Sequence, residues 1–304
     1  MNFDLMRLIA ALLVVISHTL ALSGEPPLLT RGVEDLGALG VSVFFVISGY
    51  LIAASYRRDP RTYLLKRVLR IEPGLIASLI VTVVLLSFVT TAPPAEYWRE
   101  GVIYVVRNAL LYPVTYELPG IFEATPMAGI VNGVLWTLRL EFTFYIVLML
   151  IRARLAIILG LLALCTAVFV WVSLYRPEWG VDPVARVAFL TSRNGMLFFA
   201  GAALQIVNWR TPFWLGIASW IALPFVGAFA LPTAVLGLAR EGKLPADLSY
   251  GVYIYAFPIQ QLLVTYGYLN HATAILAVLP FAAASWFLVE KPALKLKPGP
   301  RPAW

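Results

Sequence analysis

Long apolar segments follow one another along the whole chain and limit what it can fold into. They lie at residues 3–23, 37–55, 73–91, 101–112, 134–151, 155–175, 185–207, 213–239, 250–268 and 272–290. A helix of about 20 apolar residues crosses the hydrocarbon core of a bilayer. The chain is 61% hydrophobic and only 13% charged, whereas soluble domains carry about 25% charged residues. The sequence therefore predicts an all-α protein, a polytopic bundle of helices in a lipid bilayer.

Two of these segments are irregular. The segment 101–112 is short and contains Arg107, and the segment 213–239 is long and is interrupted by Pro224 and Pro232. Either the first crosses and the second is one kinked helix, or the first is re-entrant or interfacial and the second forms two short spans. Both alternatives predict about ten transmembrane helices, so both termini lie on the same side.

Basic residues identify that side. They follow the second and the last apolar segments: Arg57, Arg58, Arg61, Lys66, Arg67, Arg70, Lys291, Lys295, Lys297 and Arg301. Cytoplasmic loops carry such an excess of Lys and Arg, so we expect both termini to be cytoplasmic. The topology explains most of the net charge of +7, and nothing indicates nucleic acid as a partner. We expect a single membrane domain at 1–292 and a short basic cytoplasmic tail at 293–304.

Ionisable residues inside the apolar segments are candidates for function, because they are costly to place in a membrane. Arg7 and His18 are eleven positions apart, which puts them on one face of the first helix and about 16 Å apart along it. The alternative is that Arg7 extends to the headgroups and His18 ends the helix. The only cysteine is Cys165, so the sequence predicts no cysteine metal site, and we expect no metal.

Further polar residues accompany three other segments. Arg67 and Arg70 share a helical face just before Pro73, and paired guanidinium groups suit phosphate, although a positive-inside patch would look the same. Glu141 lies near the start of the fifth segment and needs a partner; His18 would serve, and an ion pair with Arg139 or Arg7 is the structural alternative. Asp247 is expected to cap the helix of 250–268, and that helix carries polar candidates: Tyr250, Tyr253, Gln260 and Gln261.

Taken together and in order, these residues resemble a known family. The features are Arg7 with His18, GVSVFFVISGYLI at 40–52, RVLRIEP at 67–73, LWTLRLEFTFY at 135–145, SYGVYIYAFP at 249–258 and FLVEKP at 287–292. They resemble the acyltransferase 3 family of bacterial membrane proteins over almost the whole chain. One feature departs from the family: many relatives have a histidine before the proline of the SYGVY helix, where this chain has Ala256 and Phe257.

The resemblance implies an O-acyltransferase of the bacterial inner membrane. It implies transfer of an acyl group, by default acetyl, from cytoplasmic acetyl-CoA to a hydroxyl of a sugar in a polysaccharide, lipopolysaccharide or other glycan. A second copy of the chain or polysaccharide-assembly proteins are further expected partners. The alternative is a transporter or flippase for a lipid-linked sugar, which would move substrate without consuming an acyl donor; the chain shows no internal repeat typical of transporters.

The family motifs also imply roles for individual residues. The catalytic candidates are His18, Glu141 and Arg7, and the candidates for binding acyl-CoA are Arg67, Arg70 and Arg7. Trp136, Tyr250, Tyr253 and Gln260 are candidates for binding the acceptor. We expect His18 to act as a general base with Glu141 as its carboxylate partner; a transient acyl-histidine is the alternative.

Overall fold

The computed structural model describes residues 3–28, 33–239 and 244–298, and within these ranges it contains twelve α-helices and no strand. The helices are α1 (Asp4–Leu22), α2 (Leu36–Arg58), α3 (Tyr63–Leu86), α4 (Pro94–Ala109), α5 (Leu135–Leu150), α6 (Leu155–Tyr175), α7 (Pro183–Ile206), α8 (Phe213–Val226), α9 (Leu231–Leu238), α10 (Ser249–Thr265), α11 (His271–Ser285) and α12 (Lys291–Lys295). A π-helical stretch, Trp286–Glu290, joins α11 to α12. The prediction of an all-helical fold is confirmed.

Several of these helices are long enough to cross a membrane. By length and composition, seven stretches of the described residues could span a bilayer: α1, α2, α3, α6, α7, α8 with α9, and α11 with α12. The stretch of α8 and α9 qualifies by its total length only, because the two helices fold back on each other. Most of α6 is exposed, which suits a helix that faces lipid. The bundle is therefore a multi-pass membrane protein, as expected. The count of ten crossings, the cytoplasmic side of the termini and the boundary at 292 stay predictions, and Arg301 lies outside the described residues.

Helix α3 begins ten residues earlier than the predicted segment at 73. It starts at Tyr63 and continues through Pro73, so Arg67 and Arg70 lie on the helix and not in a loop. Proline inside a helix removes one backbone hydrogen bond, and helices in membranes tolerate it where neighbouring groups satisfy the backbone. Next to the proline, the Tyr250 hydroxyl of α10 donates to the carbonyl of Ile71 at 2.9 Å.

The irregular segment around 101–112 does not cross by itself. Helix α4 ends at Ala109, and residues 110–134 are not helical. The chain returns to the end of α3, where the Thr91 amide donates to the Gly120 carbonyl at 3.2 Å. It then reaches the middle of α10, where the Asn132 side chain donates to the Ile254 carbonyl at 3.0 Å. This path agrees with the re-entrant or interfacial alternative.

The other irregular segment, 213–239, forms a hairpin. A 3₁₀ turn at Gly227–Ala230 reverses the chain, and the Ser219 and Thr233 hydroxyls lie 2.7 Å apart. Near the open end of the hairpin, a Cβ atom added to Gly216 would lie 2.8 Å from the backbone of Gly237. Because both ends of this segment lie together, the structure supports two short antiparallel helices rather than a single kinked helix.

The centre of the bundle is built from helices that approach closely. A Cβ atom added to Gly49 of α2 would lie 1.9 Å from the Phe198 carbonyl oxygen of α7, and one added to Gly201 would lie 2.4 Å from the Val46 carbonyl oxygen of α2. Helix α1 packs on the other side of α2 through Gly40, and α10 runs parallel to α1. Small residues permit such contacts between membrane helices, as the motif at 40–52 predicts.

Candidate active site

A cavity of about 100 Å³ lies between helices α1, α2, α3, α5 and α10. Its charged and polar lining comes from distant parts of the chain: Arg7, Ser48, Arg67, Arg70, Glu141 and Tyr253. Apolar side chains of α2, among them Phe44 and Val41, complete the wall. With Tyr250, which also lines the cavity, the structure thus brings together six of the predicted site residues, which the sequence placed on four separate segments.

Glu141 is held inside this cavity by hydroxyl groups. Ser48 of α2 and Tyr145 of α5 both donate hydrogen bonds to its Oε1 atom, and the Ser48 and Tyr145 oxygens lie 2.9 Å apart. The expected hydrogen bond between Glu141 and His18 is not formed, and Glu141 has no ion pair with Arg139 among the described residues. Sequence analysis missed Ser48 and Tyr145, because only the packing of α2 on α5 reveals that they meet a carboxylate.

Arg7 and Arg70 form a buried ion network. Arg70 donates to Asp247 at 2.6 Å and to Glu290 at 3.3 Å, and Arg7 lies 3.6 Å from the same Asp247 oxygen. The Ser249 hydroxyl also donates to Asp247, at 2.6 Å. Burial raises the pKa of the Asp247 carboxyl, but the charges of Arg70 and Arg7 outweigh it and leave the pKa below its usual value. The network ties α1, α3, α10 and the π-helical stretch together.

This network corrects one expectation about Asp247. The residue that precedes the first turn of α10 is Leu248, and no side chain caps the helix, so Asp247 serves as an ion partner and not as a cap. Glu290 was also missed, although the FLVEKP motif contains it. A carboxylate inside an apolar run was the available signal, because such a group needs a cationic partner.

Arg67 differs from the other two cavity arginines, because its guanidinium has no carboxylate partner among the described residues. Within the described ranges, its guanidinium makes one long hydrogen bond, 3.5 Å, to the Ser55 hydroxyl, and its buried Nε atom has no partner. Lys297 lies half-buried nearby: burial lowers the pKa of its amine to about 7, and repulsion from Arg67 acts in the same direction. This end of the cavity therefore presents positive charge that the protein itself does not neutralise.

His18 lies beyond the deep end of the cavity. Gly40 of α2 packs against Ala10 and Val14 of α1. Its neighbour Val41 lines the cavity at this level, which lies about two helical turns before His18 along α1. The imidazole packs edge-on against Phe257 with ring centres 5.0 Å apart, and its buried Nδ1 atom has no hydrogen-bond partner. Phe257, directly before Pro258, thus occupies the space next to His18.

A different carboxylate, Asp35, acts on His18. Asp35 accepts a hydrogen bond from the Ala38 amide at 2.7 Å as the cap of α2, and the Ser17 hydroxyl donates to it at 3.4 Å. Its carboxylate is close enough to the His18 imidazole to interact with it electrostatically. As the N-cap of α2, this carboxylate lies beside the C-terminal end of α1, a relationship that the spacing of the motifs did not show.

The predicted acceptor-binding residues separate into three environments. Tyr253 lines the cavity and lies 2.6 Å from the Thr137 hydroxyl, and Tyr250 lines it near Arg70. Gln260 instead donates to the Val15 carbonyl and the Thr19 hydroxyl of α1, both at 2.8 Å, outside the cavity. Trp136 lies on the other side of α5, in a second cavity.

The helices enclose a charged cavity with a basic end, and beyond its other end lies a partly buried histidine whose Nδ1 atom has no hydrogen-bond partner. This arrangement defines an integral membrane protein with an internal polar site. The chain belongs to the acyltransferase 3 family: the family model, described as an acyltransferase domain, matches residues 2–289. It is therefore an acyltransferase, as the resemblance predicts.

Known relatives agree with this assignment. The chain is 31% identical to an O-acetyl transferase of Shigella phage Sf6, over 95% of this chain and 94% of the relative. It is 30% identical to nodulation protein 10 of Rhizobium leguminosarum bv. viciae, over 97% of this chain and 94% of the relative. It is also 30% identical to a putative peptidoglycan O-acetyltransferase of Bacillus subtilis, over 56% of this chain and 29% of that protein. No solved structure matches the chain significantly.

Proposed function

We propose that this protein transfers an acetyl group from cytoplasmic acetyl-CoA to a hydroxyl of a sugar in a bacterial glycan, at the inner membrane. The observation that carries the proposal is the cavity, which has Arg67, without a carboxylate partner among the described residues, at one end and Val41, about two helical turns from His18, at the other. The names of two relatives, an O-acetyl transferase and a putative peptidoglycan O-acetyltransferase, support the acetyl group and a glycan acceptor.

The donor would bind at the basic end of the cavity. A guanidinium without a carboxylate partner suits a phosphate, which it can bind through two hydrogen bonds, so Arg67 is the first candidate for the phosphates of CoA. Arg70 and Arg7 also line the cavity, but Asp247 and Glu290 already neutralise them. We assign them mainly to holding the helices around the donor, and Lys297 to a second contact with phosphate.

The transfer would take place near His18. The acceptor hydroxyl oxygen attacks the thioester carbonyl carbon, the bond from carbon to sulfur breaks, and the hydroxyl proton passes to a neutral imidazole nitrogen and then to the leaving thiolate. Proton transfer of this kind contributes about 10²- to 10⁴-fold to rate. A carboxylate such as Asp35 stabilises the imidazolium that forms. The alternative route uses an acyl-His18 intermediate, which is then attacked by the acceptor.

Glu141 would act within the donor cavity and not on His18. Its hydrogen bonds to Ser48 and Tyr145 join α2 and α5 and hold a negative charge in the wall that faces the pantetheine arm. We assign it to positioning: the carboxylate fixes the hydroxyl groups that shape the path to His18.

The test uses purified protein in liposomes with radiolabelled acetyl-CoA and a glycan extract. Wild-type protein should release CoA and label the glycan. His18→Ala and Arg67→Ala should lose this activity at unchanged thermal stability, and Glu141→Gln should reduce it. The matched controls are His271→Ala and Arg61→Ala, because both side chains are exposed and lie outside the cavity. If folded wild-type protein consumes no acyl-CoA but moves a lipid-linked sugar, the transporter alternative replaces this proposal.

An incubation without the acceptor distinguishes direct transfer from transfer through an acyl-His18 intermediate. Labelled protein that accumulates with acetyl-CoA alone, and is absent from His18→Ala, would establish the acyl-histidine. Absence of label in active wild-type protein would establish direct transfer.

A further inference from the structure

A second cavity, of about 440 Å³, lies on the other side of α5. It is bounded by α5, by the first turns of α7 and by the non-helical segment after α4. Trp136 and Arg139 of α5, Tyr112 and Tyr116 of the segment, and Arg186 of α7 line it. None of these residues belongs to the donor cavity.

The two cavities use opposite faces of one helix. Residues 137, 138, 141 and 145 of α5 line the donor cavity, and residues 136, 139, 140 and 143 line the second. At 100° per residue, the two sets point in nearly opposite directions. Helix α5 therefore separates the two cavities.

The second cavity contains two arginines that the protein does not neutralise. Neither Arg139 nor Arg186 has a carboxylate partner in the part of the chain that the structure describes. Both guanidinium groups are close enough to the Tyr116 hydroxyl to act on it electrostatically. Because both arginines line the same cavity, an anion bound in it would be stabilised by both. A phosphate or diphosphate matches guanidinium groups in this arrangement.

The surroundings of these arginines are apolar. Val184 and Val187, next to Arg186 in the first turns of α7, are 76% and 60% exposed, and Leu110 is 68% exposed beside Tyr112. In a chain that spans a bilayer, such a rim faces lipid. A cationic interior with aromatic side chains and an apolar rim fits a ligand with a charged head and a hydrocarbon tail.

The cavity also lies away from the basic end of the donor site. Ile206, at the end of α7, accepts a hydrogen bond from Arg57 at the end of α2. Arg186 lies 20 residues earlier on α7, which is about 30 Å along the helix. The second site is thus reached from the opposite half of the membrane.

From this arrangement we infer that the cavity between α5 and α7 binds the phosphate or diphosphate of a lipid-linked glycan. Arg139 and Arg186 bind the phosphate groups, Trp136 and Tyr116 contact the first sugar, and the lipid tail leaves between α5 and α7. That this molecule is the acceptor rests on the proposed function, whereas the binding itself does not.

The test is equilibrium binding of radiolabelled farnesyl diphosphate to purified protein in phosphatidylcholine nanodiscs. Wild-type protein should bind it about tenfold or more tightly than farnesol or inorganic pyrophosphate, as competition shows. Arg139→Gln and Arg186→Gln should each weaken binding about tenfold, the loss expected for one charge-assisted hydrogen bond. Arg99→Gln is the control, because this arginine is exposed and outside the cavity. Arg186 is also exposed, so its variant decides the question if Arg139→Gln fails to fold.

The following results would overturn the inference. Equal binding by wild type and both variants would exclude this cavity. Equal affinity for inorganic pyrophosphate would indicate a site for a free anion, and loss of farnesyl diphosphate binding in phosphatidylglycerol nanodiscs would indicate a site for phospholipid headgroups. Binding that follows the prediction in protein that consumes no acetyl-CoA would leave the site standing and refute the proposed function.

Discussion

Arg70 and Asp247 are 177 positions apart in the chain, and their side chains meet at 2.6 Å beside the cavity proposed for the donor. One residue lies on α3 and the other just before α10, so the contact holds two walls of the cavity together. Glu290 completes the network at 3.3 Å from Arg70. Charged groups at this depth require partners, and the network supplies them without using Arg67.

Removing the Asp247 charge should destabilise the protein. Asp247→Asn leaves Arg70 with only Glu290, and Arg7 with no ion partner among the described residues. A loss of about 1–3 kcal/mol is expected for a hydrogen bond to a charged group. Thermal unfolding in detergent measures it, with Glu100→Gln, in an exposed ion pair with Arg99, as the control. An unchanged unfolding temperature would show that the network contributes nothing.

Close packing of α2 on α7 should make Gly49 sensitive to substitution. In Gly49→Ala the new methyl group would lie 1.9 Å from the Phe198 carbonyl oxygen, a backbone atom that cannot move by itself. We expect destabilisation of about 1–3 kcal/mol, the usual cost of overpacking. Gly160→Ala on α6 is the control, since nothing lies within 4 Å of its added Cβ, and a similar effect of both substitutions would refute the packing argument.

The fold was largely predictable because apolar length is a local property. The segments that became α2, α5 and α7 agree with the helices to within three residues. The start of α3 was wrong, since Pro73 looks like a boundary when its neighbours are unknown. The hairpin of α8 and α9 was left as one of two alternatives. Prolines in the sequence show where a helix is interrupted, but they do not show whether the chain then continues or turns back.

The candidate site was predictable as a set of residues but not as a set of contacts. Arg7, Arg67, Arg70, Glu141, Tyr250 and Tyr253 were all singled out, and all line one cavity. The partners of Glu141 were wrong, because the rotation of α2 and α5 about their axes decides that Ser48 and Tyr145 meet the carboxylate and His18 does not. Asp35 and Asp247 lie beside helix ends, where capping is the simpler explanation of an aspartate.

Gln260 should contribute to stability and not to acceptor binding, contrary to its assignment from sequence. Its amide nitrogen joins α10 to α1 through the Val15 carbonyl and the Thr19 hydroxyl. Gln260→Leu should lower the free energy of unfolding by about 1–2 kcal/mol and leave the KM for the acceptor unchanged. The same two quantities are measured for Tyr253→Phe, a substitution inside the cavity, as the comparison. A KM effect of Gln260→Leu at unchanged stability would restore the original assignment.

Donor binding should weaken as pH rises through about 7, if Lys297 contacts phosphate. Burial, aided by Arg67, lowers the pKa of Lys297 to about 7, so its amine is charged below this pH and neutral above it. A phosphate prefers the charged form. The Kd for acetyl-CoA should therefore rise between pH 6 and 8, and Lys297→Arg should remove this dependence because arginine stays charged. The same pH dependence in Lys297→Arg would exclude the lysine.

The unliganded protein should show the opposite trend in stability. The lowered pKa means that the folded protein binds fewer protons at Lys297 than the unfolded chain does between pH 7 and 10.5. Stability therefore rises with pH across this window. Chemical unfolding at pH 7 and pH 9, in wild type and Lys297→Met, measures the contribution; the variant should lack it.

The carboxylate beside His18 should matter for rate and not for folding. Asp35→Asn removes the charge that would stabilise an imidazolium on His18, yet asparagine caps a helix as well as aspartate does, so the hydrogen bond to the Ala38 amide can remain. We expect kcat to fall about tenfold or more, the effect of losing about 1.4 kcal/mol of transition-state stabilisation, with thermal stability unchanged. Asp35→Ala should lose both rate and about 1 kcal/mol of stability. Because Glu141 is bonded to Ser48 and Tyr145, Ser48→Ala should weaken donor binding while leaving the effect of Asp35→Asn intact. Wild-type kcat in Asp35→Asn would show that His18 works without this carboxylate and would return attention to Glu141.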